Sequence, residues 1–166
     1  MKLKSKILFF GKKNCSISKK MHQILKLNSK NVFRINIDQN NKKKYIKQLK
    51  NWSGDYIFSF RSKYIVPIKI LKKTKIAAIN FHPGPPNYRG IGCINFSILN
   101  NEKFYGLTCH LMSKRIDNGR IIDVKKFKIN SKDNIDQILL KTYKLQLKQF
   151  KNIIRCLKKD NDIKKL

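Results

Sequence analysis

Short apolar runs alternate with amphipathic stretches of helical period through the first half of this chain, and that alternation limits its fold more than any other feature. Ile7 to Phe10 is a continuous apolar run closed by Gly11, the pattern of a strand buried on both faces. From Ser16 to Leu27, with Ser16 as N-cap, Ile17, Met21, Ile24 and Leu25 recur at helical spacing. Val32 to Ile37 reads as a second strand and the Lys-rich Asn41 to Trp52 as a short helix. Gly54-Asp55 reads as a turn into a third strand, Tyr56 to Phe60. Pro67 suits the first turn of a helix through Leu71, and Lys75 to Phe81 is a fourth strand. Strands alternating with helices argue for a parallel sheet with right-handed crossovers. Beyond it, Cys93 to Leu99 predicts a helix, and Tyr105 to Met112 and Ile121 to Ile129 two more strands, the latter with charges alternating toward an edge. Ile135, Leu139, Phe150, Ile153, Ile154 and Leu157 form the apolar stripe of a long, otherwise Lys-rich C-terminal helix. The expected class is α/β, a single domain over residues 1–166.

The fourth strand ends on Asn80-Phe81-His82-Pro83, just ahead of a Pro/Gly-rich turn. Residues two apart project from one side of a strand, so Asn80 and His82 share a face where the strand opens into a cleft. A second apolar run brings up Asp117 within Arg115-Ile116-Asp117-Asn118-Gly119. Amide, imidazole and carboxylate together can polarise a carbonyl, hold an oxyanion and move a proton, the requirements of acyl transfer to an amine. Taken singly, each has a plainer reading: Asn80 and His82 as strand-end caps, Asp117 as the start of an Asp-Asn-Gly turn. His110, on an alternating strand, reads as structural or pocket-lining, and His22, on the first helix, as exposed.

The chain carries 39 Lys+Arg against 9 Asp+Glu, a formal charge of +30, with 41% hydrophobic residues. That charge would attract polyanions such as nucleic acid, nucleotides or polyglutamylated folate. Heavy use of Lys, Asn and Ile also has a purely compositional origin, and the lysines are spread along the whole chain. Cys15, Cys93, Cys109 and Cys156 have neither CxxC nor metal-ligand spacing, so reduced, mostly buried thiols and no metal site are expected. Met1-Lys2-Leu3-Lys4 with Ile7 to Phe10 resembles a leader but Gly11-Lys12-Lys13 cuts its apolar run short; the cytoplasm is the expected compartment, with no membrane association.

Ile79-Asn80-Phe81-His82-Pro83-Gly84-Pro85-Pro86-Asn87-Tyr88-Arg89-Gly90 resembles the signature of the folate-dependent formyltransferases, and Gly106-Leu107-Thr108-Cys109-His110 followed by Asp117-Asn118-Gly119 resembles that family's second motif. The resemblance covers roughly Gly54 to Phe127, with both motifs in order. It implies a Rossmann-like formyltransferase fold of three layers, a central mostly parallel sheet, antiparallel C-terminal strands and the long C-terminal helix. It implies 10-formyltetrahydrofolate as co-substrate, no metal, and Asn80, His82 and Asp117 as the catalytic trio, leaving open whether His82 serves as base or as donor to the oxyanion. By the same resemblance Ser62, Lys63, Tyr64 and Ile65 hold the pterin edge, and a loop containing Met112, Ser113 and Ile116 closes over it. Tyr88, Arg89 and Gly90 have two readings: contacts to the amine substrate or its phosphates, since Arg forks onto phosphate oxygens, or a surface turn following Pro85-Pro86. Apolar Ile57 and Phe58, with Tyr64 and Ile65, would suit a flat ring. Gly84-Pro85-Pro86 is most similar to the branch acting on nucleotide-linked amino sugars; a catalytic domain of the methionyl-tRNA type, or a degenerate nucleotide- or RNA-binding module, is the alternative. Relative to the family the half upstream of Asn80 looks about one βα unit short, no C-terminal accessory domain is expected, and the oligomeric state is left open.

Overall fold

The computed structural model describes residues 5–37 and 42–160. Asn41, expected to begin the second helix, and the Met1 to Lys4 segment considered as part of a leader lie outside the described residues. The elements run β1 (Lys6–Phe10), α1 (Ser16–Asn28), β2 (Asn31–Ile35), α2 (Lys42–Lys50), β3 (Gly54–Phe60), α3 (Ile68–Leu71), β4 (Thr74–His82), α4 (Cys93–Leu99), β5 (Phe104–Leu111), β6 (Ile121–Lys128) and α5 (Ile135–Asp160). One six-stranded sheet has the order β2-β1-β3-β4-β5-β6. The β1–β2, β1–β3 and β3–β4 pairs are parallel, while β4–β5 and β5–β6 are antiparallel. The parallel half and the long last helix are as the sequence pattern predicts, and the antiparallel end is as the resemblance implies.

Strand alternation divides the core between two layers. Ile7, Phe9, Tyr56 and Phe58 face Met21 and Leu25 of α1 and Phe150, Ile153, Ile154 and Leu157 of α5. Leu8, Phe10 and Ile57 face the other way, onto Leu49, Trp52 and Ile70. The central strands are therefore covered on both sides, which is why they read as unbroken apolar runs. Phe150 meets Phe58 and Phe81 edge-to-face at centroid distances of 5.9 and 5.0 Å, and Phe58 and Phe81 are tilted to each other at 6.5 Å.

Several local expectations are corrected. The N-cap of α1 is Cys15, without a side-chain cap, and not Ser16. Gly54 and Asp55 are not a turn but the first residues of β3: Asp55 Oδ2 accepts from the Lys6 backbone N–H at 2.7 Å, tying β3 to β1. Ile57 and Phe58 lie on opposite faces and are sealed in the core, so neither is open to a ring-shaped ligand. His22 is half-buried, stacked on Phe9 with centroids 6.3 Å apart; burial first, then Arg34 and Lys26, depress its basicity. On α5, Ile135 is exposed and Leu139 only half-buried, and the middle of the buried face is polar, through Thr142, Gln146 and Gln149. The glutamines are buried because they serve backbone acceptors: Gln146 Nε2 donates to the His82 carbonyl at 2.9 Å, and Gln149 Nε2 to the Asp123 carbonyl at 3.1 Å. Other element ends differ only within normal fraying.

Phe150 is fully buried and couples α5 to both β3 and β4. Phe150→Ala is expected to cost about 3–5 kcal/mol of unfolding free energy through lost burial and a residual cavity. Urea unfolding monitored by far-UV circular dichroism measures it; a loss below about 1 kcal/mol would mean that this layer packs loosely.

Candidate active site

β4 lies centrally in the sheet, and its last residues carry the side chains that matter. In the antiparallel register with β5, Asn80 pairs with His110 and His82 with Thr108. Asn80, His82, Thr108 and His110 thus present to one face of one ladder. Asp117 arrives from the β5–β6 connection with φ of 47°, a left-handed conformation that Asp tolerates better than most residues. The chain can press inward there because of Gly119: a Cβ at that position would collide with the Leu111 carbonyl oxygen.

Asp117 is the hub, with a side chain only 10% exposed. Its Oδ1 accepts from Asn80 Nδ2 at 2.9 Å and lies 3.2 Å from His110 Nε2. Its Oδ2 lies 3.1 Å from His82 Nδ1 and accepts from the Gly90 backbone N–H at 3.0 Å. The far nitrogen of His82, Nε2, lies 2.8 Å from the Tyr88 carbonyl and 3.5 Å from Cys93 Sγ. A carbonyl oxygen and a carboxylate can only accept, so both ring nitrogens of His82 carry protons in this arrangement.

The electrostatics agree. Burial works to lower the His82 pKa, but hydrogen bonds to Asp117 and Cys93, the Asp117 charge and the Tyr88 carbonyl outweigh it and raise the value to about 10. For Asp117, burial works upward, yet the two histidines, the His82 charge and the Gly90 N–H hold its carboxyl far below the usual carboxylate range. The site at neutral pH is a buried imidazolium–carboxylate pair. It borders a cavity of about 30 Å³, room for roughly one water, whose lining includes His110, Thr108, Arg89 and Pro86.

Of the residues singled out from the sequence, Asn80, His82 and Asp117 meet. Gly90 joins them through its N–H, Tyr88 through its carbonyl, and Arg89 lines the cavity. The other two segments lie apart from this cavity. Ser62, Lys63, Tyr64 and Ile65 follow β3; Ser62 Oγ accepts from the Tyr64 N–H at 3.1 Å, Tyr64 stacks on Phe10, and Ile65 is exposed. Met112 and Tyr64 pack against the same apolar cluster, whereas Ser113 and Ile116 are exposed. His110 lines the cavity, in keeping with its structural or pocket-lining reading, whereas no sequence signal marked the contact of Cys93 with His82. The strand period placed His110 on one face, but only the β4–β5 register sets it opposite Asn80. Among the described residues no group of His, Cys, Asp or Glu is arranged to hold a metal ion, no helix is long and apolar enough to cross a membrane, and all four cysteines are free.

The shifts fix a pH dependence. The His82 pKa is raised on folding, from about 6.5 to about 10, so its contribution to stability is complete below 6.5 and disappears as pH climbs through 10. Asp117 is depressed, so its contribution is present above its ordinary value of 3.8 and fades as acid is added. Between pH 7 and 10 the wild type should therefore lose unfolding free energy relative to His82→Gln, as read by urea titration at each pH. Parallel curves for the two proteins would remove the ion pair from the account.

Comparison with known proteins follows the same outline. Residues 12–154 match the formyl transferase family. The bifunctional polymyxin resistance protein ArnA of Wigglesworthia glossinidia brevipalpis is 36% identical over 128 residues, covering 70% of this chain and 20% of that protein. The methionyl-tRNA formyltransferase of Mycoplasmopsis pulmonis is 32% identical over 102 residues, 61% of this chain and 35% of that protein. The chain thus spans between a fifth and about a third of the length of these two curated relatives. Among solved structures, WlaRD, a sugar 3N-formyl transferase determined in the presence of dTDP and 5-N-formyl-THF, superposes with a TM-score of 0.72 at 26% identity, covering 92% of this chain and 62% of its own. By this match and this architecture, the chain belongs to the formyl transferase family.

Proposed function

We propose that this chain moves a formyl group from 10-formyltetrahydrofolate to a primary amine, with Asn80, His82 and Asp117 as the reacting constellation. The observation that carries the reading is the buried Asp117 carboxylate joining Asn80 Nδ2 at 2.9 Å and His82 Nδ1 at 3.1 Å at the open end of β4. The formyl donor supplies an activated one-carbon carbonyl; everything else is positioning and charge. An imidazolium has no lone pair to take a proton, so His82 acts here as donor to the carbonyl oxygen as it turns negative. Asp117 holds the ring and stabilises its charge. The second N–H of Asn80 supplies the other hydrogen bond.

Bond by bond, the amine nitrogen forms its bond to the formyl carbon, and the carbonyl electron pair moves onto oxygen. Collapse then breaks the bond to the folate nitrogen, which leaves with a proton while the attacking nitrogen loses one. His82 Nε2 must exchange the Tyr88 carbonyl for the substrate oxygen, so the backbone at Tyr88 shifts when substrate enters. Tyr64 and Met112 flank one apolar cluster, with the exposed Ile65 beside them, which supports a pterin site between the Ser62 to Ile65 and Met112 to Ile116 segments.

For the amine, the similarity to a sugar 3N-formyl transferase determined in the presence of dTDP supports a nucleotide-linked amino sugar. The Gly84-Pro85-Pro86 run after His82 and Arg89 at the cavity, a fork suited to phosphate oxygens, are consistent with it. A methionyl-tRNA acceptor is the second reading, favoured by the similarity to methionyl-tRNA formyltransferase and by the formal charge of +30.

Consumption of 10-formyltetrahydrofolate should be followed across dTDP-amino sugars, methionyl-tRNA and glycinamide ribonucleotide. Turnover is expected with an amino sugar and none in His82→Ala. Asn80→Ala should lose roughly 100- to 1,000-fold in kcat, about 2.7–4 kcal/mol for one oxyanion donor. Folate binding without turnover on any of these amines would defeat the enzymatic reading.

A further inference from the structure

His110 has no place in the trio, yet it is 3% exposed and its ring is fully engaged. Nδ1 lies 2.7 Å from the Leu111 carbonyl, which only accepts, so that nitrogen carries a proton and the ring cannot turn over without losing the bond. Nε2 is then fixed toward the site, 3.2 Å from Asp117 Oδ1 and 3.2 Å from Asn80 Nδ2. With its proton on Nδ1 the ring offers Nε2 as an acceptor, and Nε2 shares with Asp117 Oδ1 one N–H of Asn80. The same carbonyl of Leu111 that orients the ring is the one Gly119 lets the chain approach, so the ring and the Asp117 loop share an anchor.

We propose that His110 is a positioning residue of this site, fixing the Asn80 amide with Nδ2 inward, one N–H shared by Asp117 Oδ1 and His110 Nε2 and the other left for the substrate oxygen. The amide of Asn80 could otherwise rotate by half a turn. Its carbonyl oxygen would then face Asp117 Oδ1, and the hydrogen-bond donor aimed at the substrate would be gone. Asp117 likewise has two rotations available. With Oδ1 held by the Asn80 N–H that His110 orients, Oδ2 is the oxygen left for His82 and the Gly90 N–H. The cross-strand pairing of Asn80 with His110 makes this a property of the sheet and not of a loop. His110 touches neither the formyl carbon nor the amine in this scheme; it acts through its two neighbours.

The rate consequence rests on the formyl-transfer reading, so the test has two independent readouts. His110→Gln keeps a polar group able to reach Asn80 and Asp117, and His110→Phe keeps the volume without it. Steady-state kinetics with 10-formyltetrahydrofolate and the accepted amine give kcat and KM. Ring NMR of His82, which also faces Cys93 and the Tyr88 carbonyl, follows its titration with or without turnover. In His110→Phe, kcat should fall roughly 10- to 100-fold with KM little changed, the loss expected on removing an orienting partner. His82 should also titrate at lower pH, and His110→Gln should recover most of both. Wild-type kcat and an unshifted His82 titration in His110→Phe would overturn the proposal, as would equal impairment of both variants. If the wild type transfers no formyl group, the activity reading falls and the His82 titration in the two variants decides on His110 alone.

Discussion

A single buried carboxylate ties together three parts of the chain that are otherwise separate. Asp117, on the β5–β6 connection, meets Asn80 and His82 at the end of β4 and the Gly90 N–H on the segment leading to α4. Burying one unpaired charge would cost several kcal/mol, and burying two paired ones is tolerable only with good geometry and further hydrogen bonds. Both conditions hold here: Oδ1 accepts from Asn80 Nδ2, Oδ2 faces His82 Nδ1 and the Gly90 N–H, and each His82 nitrogen faces an acceptor. The pair therefore does little for net stability compared with an apolar core of the same volume. It does specify where two loops must lie.

The scaffold around the pair is built to keep that arrangement. The Phe58, Phe81 and Phe150 group fastens α5 beneath β4, and from the same helix Gln146 reaches up to the His82 carbonyl. Tyr105 Oη donates to the Pro83 carbonyl and Thr108 Oγ1 to the Gly84 carbonyl, both at 2.8 Å. The backbone directly after His82 is thus held from β5, while the following Tyr88 is held at its own ring, where Tyr88 Oη donates to Glu102 Oε1 and accepts from Asn100 Nδ2. The side chains at the strand end are rigid, and the segment that covers them has its hold farther out. That division suits a site in which a substrate carbonyl must replace the Tyr88 carbonyl without disturbing the donors.

Much of the fold was legible because the relevant signals are local. Ile7 to Phe10 and Tyr56 to Phe60 announce doubly covered strands through composition alone, and the long last helix through its period. Two departures share one cause: a partner distant in sequence. Gly54-Asp55 has turn chemistry, but Asp55 is recruited by the Lys6 N–H and so begins a strand. Gln146 and Gln149 fall outside the apolar stripe read for the last helix, yet they are buried because distant acceptors come within reach.

The sequence by itself determined the secondary elements, the parallel character of the first four strands, and the appearance of Asn80 and His82 on one side of a strand end. Those follow from periods of two and 3.6 and need no long-range contact. Tertiary structure alone decided that Asp117 lies within 3.1 Å of His82 Nδ1, that His110 stands opposite Asn80, and that the Tyr88 carbonyl caps His82 Nε2. Register between strands and the path of a loop are settled by packing and by donors and acceptors meeting across the fold, and no window of neighbouring residues contains that information.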